Sequence, residues 1–255
     1  MMNTQEQELK EILTGQQFDC LHHQAELLER RKRMAQSYAE TENGIAVLSD
    51  FQENACYIYS GSFGQCIGLQ DTAIKADSAF EEEIFRRIPP DELLERHVLE
   101  LRFYQFQQTL PLSERAYYNM ICPLHFRTTD TRTILILHRS FYWETTARGS
   151  IWLGLCLYTP FLETEHKIPG QIIDNRTGQA ILPETYHQLD KQMLSPREKE
   201  VLALLAKGES SKQIAQGLCL SVNTIYRHRQ NILTALQVNN TAAAVEIGLR
   251  LHLIP

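Results

Sequence analysis

Between Ser221 and Leu236 the chain reads SVNTIYRHRQNILTAL, and three of its side chains have the chemistry to read a base-pair edge. The Arg227 guanidinium carries its donors in a fixed fork that fits the paired acceptors of guanine, and the amides of Asn223 and Gln230 each offer the donor and acceptor that adenine requires. Spacing decides whether they can act together. At about 100° per residue, Ile232 and Leu236 come round to the side of Ile225, with Val222 at the edge of the same face. Asn223, Arg227, Gln230 and Thr234 all fall within about 40° of the opposite pole. Tyr226, Asn231 and Thr224 flank this ridge, and His228 lies toward one edge. Thr224 and the free amides at the helix start can hold a phosphate, and Lys199, Lys207 and Lys212 can supply further phosphate contacts.

The elements that must position this ridge are written into the flanking sequence. In LSPREKEVLALLAKG, Ser195 is an N-cap, Pro196 takes the first helical position and Glu198 completes a capping box. Val201, Leu202, Leu205 and Ala206 are expected to face inward, and Gly208 ends the helix. Ser210 and Gln213 repeat the device for a short second helix carrying Ile214, Ala215 and Leu218, which Gly217 and the β-prone LCL stop. Ser221 opens the third helix, Val222 to about Leu236. An alanine-rich fourth runs from Thr241 to about Leu251. Helix, short helix, three-residue turn and longer helix is the helix-turn-helix order. Charge agrees. Residues 191–255 hold eight basic and four acidic side chains, a balance of +4, so the rest of the chain carries the -10 that brings the total to -6.

Those residues resemble the DNA-binding domain of the LuxR family of bacterial transcriptional regulators over roughly 191–252. Leu194, Ser195, Pro196, Arg197, Glu198, Glu200, Val201, Leu202, Gly208, Lys212, Ile214, Ala215, Ser221, Thr224, His228, Ile232 and Leu236 stand in pattern positions. The resemblance implies a four-helix domain that binds double-stranded DNA as a dimer. It implies groove-facing roles for Asn223, Thr224, Arg227 and His228. It also implies a dimer contact from the last helix, here Ala242, Ala243, Val245, Glu246 and Leu249. Val222 replaces a common proline, Tyr226 a common lysine, and Gly217 a usually charged residue, which bears on which bases are preferred.

The acidic remainder has a different texture. Residues 1–42 read as N-terminal helices, with QAELLERRKRMAQSYAE presenting Leu27, Leu28, Met34 and Ala35 as a stripe. From 43 to 189 the pattern is α+β, ending in a linker. GIAVLSD and NACYIYS form a hairpin across FQEN. A glycine-rich SGSFGQCIGL follows, then helices in AFEEEIFRR and after Pro90. Asp91 is the expected cap of that second helix, with Leu94, Val98, Leu101 and Tyr104 as its apolar stripe. Three β-prone segments follow, RAYYNMICPLHFR, TRTILILHRSFYWE and SIWLGLCLYTP, joined by the polar turns TTDT and TTARG, and GQIIDNRTGQAIL makes a last hairpin turning at 174–178. The opening strands and the RRIPPDELLERHVLELRFYQFQ helix resemble a PAS-type sensory fold over about 43–160, although Pro89 stands where that family usually has histidine.

No phosphate loop, HExxH, nucleophile elbow or CxxC pair occurs, so no catalytic residues, resident metal or cofactor are expected. His97, His125 and His138 lack metal-ligand spacing. The six cysteines read as buried free thiols. With no signal-peptide pattern and no apolar run of membrane-spanning length, the chain is expected in the cytoplasm and off the membrane. Aromatic residues cluster in the acidic part. Tyr57, Tyr59, Phe63, Tyr118 and Trp152 are candidates to line a small-molecule pocket, or they fill a closed core. Together these features predict a homodimeric, sequence-specific transcriptional regulator with an N-terminal sensor. The alternative is a ligand-binding sensor acting mainly through protein–protein interaction, which would show no specific duplex in a mobility shift.

Overall fold

A computed structural model describes residues 13–19, 23–69, 72–162, 169–182, 185, 194–236, 240–251 and 253–255. Cys20, His22, Lys191, the expected helix before residue 13 and most of the linker lie outside them, as does the Thr234 side chain. The chain divides into two compact units, one built from Leu13–Ile181 and the other containing Leu182–Pro255.

The first unit is a single antiparallel sheet of eight strands with helices on both faces. The elements run α1 (Gln24–Thr41), β1 (Ile45–Asp50), β2 (Ala55–Ser60), a 3₁₀ turn (Ser62–Ile67), β3 (Ala73–Ala76), α2 (Glu82–Phe85), α3 (Pro90–Thr109) and α4 (Leu112–Arg115). They continue with β4 (Tyr118–Arg127), β5 (Thr133–Thr145), β6 (Ile151–Pro160), β7 (Gln171–Asp174) and β8 (Gln179–Ala180). The spatial order is β3-β2-β1-β6-β5-β4-β7-β8. Both predicted hairpins form, with Ile45 opposite Ser60 and Ile173 opposite Ala180. The three long strands pair in sequence order. Strand β3 carries no alternating apolar signal; it is a short edge strand bearing Lys75, which suits an edge that must not recruit another chain.

Helix α1 packs on one sheet face. Ala35 and Ala39 join Ala46, Leu48, Tyr59, Leu153, Leu155 and Leu157 there, with Leu27 and Leu28 packed alongside. Met34 is instead exposed, because it lies one position, about 100°, from the seam through Leu28, Ala35 and Ala39. Arg31 and Lys32 lay their stems on the same seam. The Arg31 guanidinium sits 4.5 Å from the Trp143 ring centroid and bonds Glu144, while the Lys32 ammonium sits 3.9 Å from that of Tyr57.

Helices α2 and α3 cover the opposite face. Of the predicted α3 stripe, Leu94, Val98 and Leu101 are buried and Tyr104 is half-buried, and Leu93, Arg96, His97, Leu99, Glu100, Phe103, Phe106 and Gln107 are buried too. Asp91 does not cap it. Pro89 occupies the cap position, and Pro90 begins the helix with φ already fixed and no amide to satisfy. The neighbouring Glu92 instead clamps α3 to β4, accepting the His125 backbone N–H at 2.7 Å and meeting His125 Nδ1 at 2.7 Å.

Cysteine burial divides. Cys56, Cys122 and Cys156 are buried, Cys66 is half-buried, and Cys219 is exposed in a turn at φ +54°.

Candidate nucleic-acid interface

The second unit contains α5 (Pro196–Ala206), α6 (Ser211–Gly217), α7 (Val222–Leu236) and α8 (Thr241–Arg250). Both capping boxes close as read. Ser195 Oγ accepts from the Glu198 N–H while Glu198 reaches back to the Ser195 N–H at 2.9 Å, and Ser210 and Gln213 do the same. Each cap stabilises its helix by about 1 kcal/mol. Gly208, at φ +84°, ends α5. Its N–H bonds the Leu205 carbonyl and the Glu209 N–H bonds that of Leu204, closing the Schellman pattern. Ser221 Oγ accepts the Thr224 N–H at 3.1 Å and starts α7; Asn240 caps α8 through the Ala243 N–H.

The core is built from Leu194, Val201, Leu202, Ile214, Ala215, Ile225, Ile232, Leu236, Ala244 and Ile247. A Cβ at Gly248 would stand 2.7 Å from Leu202, so this glycine lets α8 approach α5. Leu205 and Leu218 are half-buried rather than enclosed, and Ala206 is exposed, because it sits in the last turn of α5 where the chain leaves the core.

With Ile225 and Ile232 locked inward, Asn223, Tyr226, Arg227 and Gln230 are exposed, Tyr226 at 55%. Lys207 and Lys212 are also exposed, at the end of α5 and the start of α6. Thr224 is half-buried, its hydroxyl 2.8 Å from Ser221 Oγ. His228 is half-buried, and its Nδ1 is buried without a hydrogen-bond partner among the described residues. It lies near Glu198, whose carboxylate Asn231 also bonds. Burial works to raise the Glu198 pKa, but the Ser195 hydroxyl and N–H, Asn231 and His228 together hold it below the ordinary glutamate value. Those two polar residues of α7 thus face α5.

Two arginines serve the fold. Arg229 donates to Ser211 Oγ at 2.8 Å and Thr241 Oγ1 at 2.7 Å, bracing α6, α7 and α8 together. Its wheel position, about 40° from Ile225, marks it as inward-leaning. Arg197 pairs with Glu200 at 2.5 Å and bonds the Leu218 carbonyl. The cationic reach of this face therefore rests on Arg227, Lys207 and Lys212 more than a plain charge count suggests.

On α8, Ala242, Glu246 and Leu249 share an outward face, with Val245 half-buried beside it. Ala243 departs from the expected dimer-contact set. It is 4% exposed and packs inside the unit, since the i, i+1, i+4 positions 243, 244 and 247 form the inward stripe.

The predicted aromatic pocket does not assemble as one site. Tyr59 and Trp152 belong to the cluster under α1, with Tyr57 packed against it, and Trp152 Nε1 donates to Asp50. Tyr118 stands elsewhere, edge-on to Phe106 at 5.1 Å, and Phe63 is half-buried in the 3₁₀ turn. The concentrated polar chemistry of this unit lies on the other sheet face. Arg96 pairs with Glu100 at 2.5 Å and lies 4.0 Å from Glu81, with His97, His138, Ser140, Cys156 and Tyr158 buried nearby. Burial opposes the Arg96 charge, but Glu100, Tyr158, Cys156 and Glu81 hold its pKa above the ordinary arginine value.

A capped four-helix core presenting an exposed Asn–Arg–Gln ridge defines a helix-turn-helix module of the kind that enters a DNA groove. Residues 192–247 match the family of bacterial regulatory proteins, luxR family, so this segment is a LuxR-family helix-turn-helix domain. The chain is 30% identical over 92 residues to the transcriptional regulatory protein LiaR of Bacillus subtilis, covering 35% of this chain and 40% of LiaR. It is 40% identical over 63 residues to the oxygen regulatory protein NreC of Staphylococcus aureus, covering 25% of this chain and 29% of NreC. The chain thus spans less than half the length of these curated relatives. Among solved structures, a Vibrio cholerae VqmA dimer, described with LuxR-type receptors, aligns over 89% of this chain and 90% of its own at 14% identity and a TM-score of 0.30. No helix among the described residues is long and apolar enough to cross a membrane.

Proposed function

We propose that the protein is a transcriptional regulator that binds a specific double-stranded DNA site as a homodimer through α7. The observation that carries this reading is the exposed ridge of Asn223, Arg227 and Gln230 on a helix whose opposite face is sealed by Ile225, Ile232 and Leu236. Arg227 reads guanine; Asn223 and Gln230 read adenine or orient on the backbone; Tyr226 adds contact area. Thr224 and the free amides of the helix start hold a phosphate with Lys207 and Lys212, and His228, beside Glu198, supports the helix from its edge. The outward face of α8, Ala242, Glu246 and Leu249 with Val245 at its edge, is the dimer contact.

The Leu13–Ile181 unit is a PAS-like sensor in this account. Two opening strands, intervening helices and three antiparallel strands are what that resemblance calls for, and the central order β2-β1-β6-β5-β4 supports it. Selection of bound duplexes from a random pool tests the whole reading. An inverted-repeat motif that the full chain retains at physiological salt is expected. Recovery of no enriched motif would contradict DNA reading and favour a protein-interaction role.

A further inference from the structure

The buried polar layer of the N-terminal unit contains three donors that the DNA-binding reading does not use. We propose that Glu81, His138 and Cys156 form a site for a thiophilic divalent metal ion of the zinc class. Glu81 immediately precedes α2, His138 lies on β5 and Cys156 on β6, and all three are buried. Their donor atoms lie within 4.8 Å of one another. In the β5–β6 register His138 faces Tyr158 and Ser140 faces Cys156, so His138 and Cys156 are diagonal neighbours on one sheet face, with Glu81 above them. Zinc bonds of about 2.0–2.3 Å place donors roughly 3.3–3.8 Å apart, so the site closes by about an ångström of side-chain movement.

A second observation points to a ligand. His138 is 0% exposed, and neither ring nitrogen has a hydrogen-bond partner among the described residues. An unpaired buried polar atom loses its bonds to water and gains none in return, and native folds hold few of them.

The surrounding groups fit the same assignment. Tyr158 donates its hydroxyl to Glu81 at 2.6 Å and stacks its ring on His138 at 4.6 Å, fixing two of the three donors. The Ser140 hydroxyl lies 3.7 Å from Cys156 Sγ, and Arg96 Nη2 lies 3.9 Å from that sulfur. Charge closes as well. One guanidinium, Arg96, faces two carboxylates, Glu81 and Glu100. A divalent ion held by the Glu81 carboxylate and a Cys156 thiolate is neutral, which leaves Arg96 and Glu100 as a matched pair. On binding, the Cys156 S–H bond breaks, its proton passes to solvent and a sulfur–metal bond forms, with no change of oxidation state. Burial and Glu81 push the free Cys156 thiol well up, so the ion must supply the attraction that removes this proton. The mixed sulfur, nitrogen and oxygen set favours zinc-like ions over magnesium or calcium.

The assignment stands independently of DNA binding. The test titrates cobalt(II) into the full chain carrying Cys219→Ser, which removes the exposed thiol. The expected result is one cobalt per chain, with a near-ultraviolet thiolate-to-cobalt band that zinc displaces. Cys156→Ser should abolish the band, and Glu81→Gln should weaken binding at least tenfold, both with unchanged circular dichroism. Absence of stoichiometric binding, or a band that survives Cys156→Ser, overturns the proposal. If either variant fails to fold, X-ray absorption of the zinc-loaded parent decides. One sulfur with nitrogen and oxygen neighbours supports the site, and a shell without sulfur rejects it.

Discussion

The two units place their polar chemistry in opposite ways. In the C-terminal unit Arg227, Asn223 and Gln230 stand outside an apolar core, whereas in the N-terminal unit Arg96, Glu81, Glu100, His97 and His138 are inside it. An exposed ridge is cheap to keep and is available to a partner. A buried cluster is costly unless its charges are matched, and then it fixes the elements that carry it. The difference is one of placement: the C-terminal unit leaves its polar ridge open to solvent, and the N-terminal unit encloses its charges.

Removing a buried partner should show the contrast most strongly. Arg96→Ala strands Glu100 and Glu81, and should cost the N-terminal unit about 3–5 kcal/mol. Thermal unfolding followed by near-ultraviolet circular dichroism, where the aromatic residues of the N-terminal unit dominate, should lose its transition. An unchanged midpoint would remove the charged interior from the account. In the C-terminal unit the corresponding blow is apolar. Ile225→Ala should cost about 2–4 kcal/mol through the cavity it leaves, read by denaturant unfolding.

Acid should act on the two units unequally. His97 and His138 have pKa values pushed well down by burial first and then by Arg96, with His97 adding to the effect on His138. The unfolded chain takes up these protons near pH 6.5, whereas the fold does not. Their stabilisation is therefore complete above about pH 6.5 and is lost as the pH falls through that value toward the depressed folded pKa. Burial raises the pKa values of Glu100 and Asp50, which opposes this trend because the fold then gains protons. The N-terminal midpoint should fall between about pH 7 and pH 5.5, and fall less in His138→Gln. An equal fall in both proteins would acquit His138. The smallest effect expected is that of Ser195→Ala, about 1 kcal/mol from the C-terminal unit through its lost cap, measured by denaturant unfolding.

The same contrast explains what was legible in the sequence. Helices α5 to α8 announce themselves because caps and apolar period are local signals, and an exposed amphipathic helix obeys both. Ser195, Ser210, Gly208 and Ile225 each do what their spacing says. The paired strands were readable for the same reason: turn residues separate short β-prone runs. Helix α3 was readable in extent but not in burial, because polar Arg96, His97, Glu100 and Gln107 sit inside and erase the apolar period. No spacing announces Glu81 beside His138 and Cys156; only the β5–β6 register and the α2 approach unite them. The aromatic residues misled because alternate strand positions point to opposite faces, which separates Tyr59 from Tyr118. Within the interface, Arg229 could have been set apart by its wheel angle, while the bond of Asn231 to Glu198 and the nearness of His228 to it needed the fold.

On the proposed function, α7 reads bases through its exposed ridge. The most direct measurement is fluorescence anisotropy of the full chain on its selected duplex and on a scrambled one, comparing parent with Arg227→Ala across a range of salt. Discrimination between the duplexes should fall by about 1–3 kcal/mol in the variant, and binding of both proteins should weaken steeply with salt. Equal discrimination by Arg227→Ala and the parent would contradict the account.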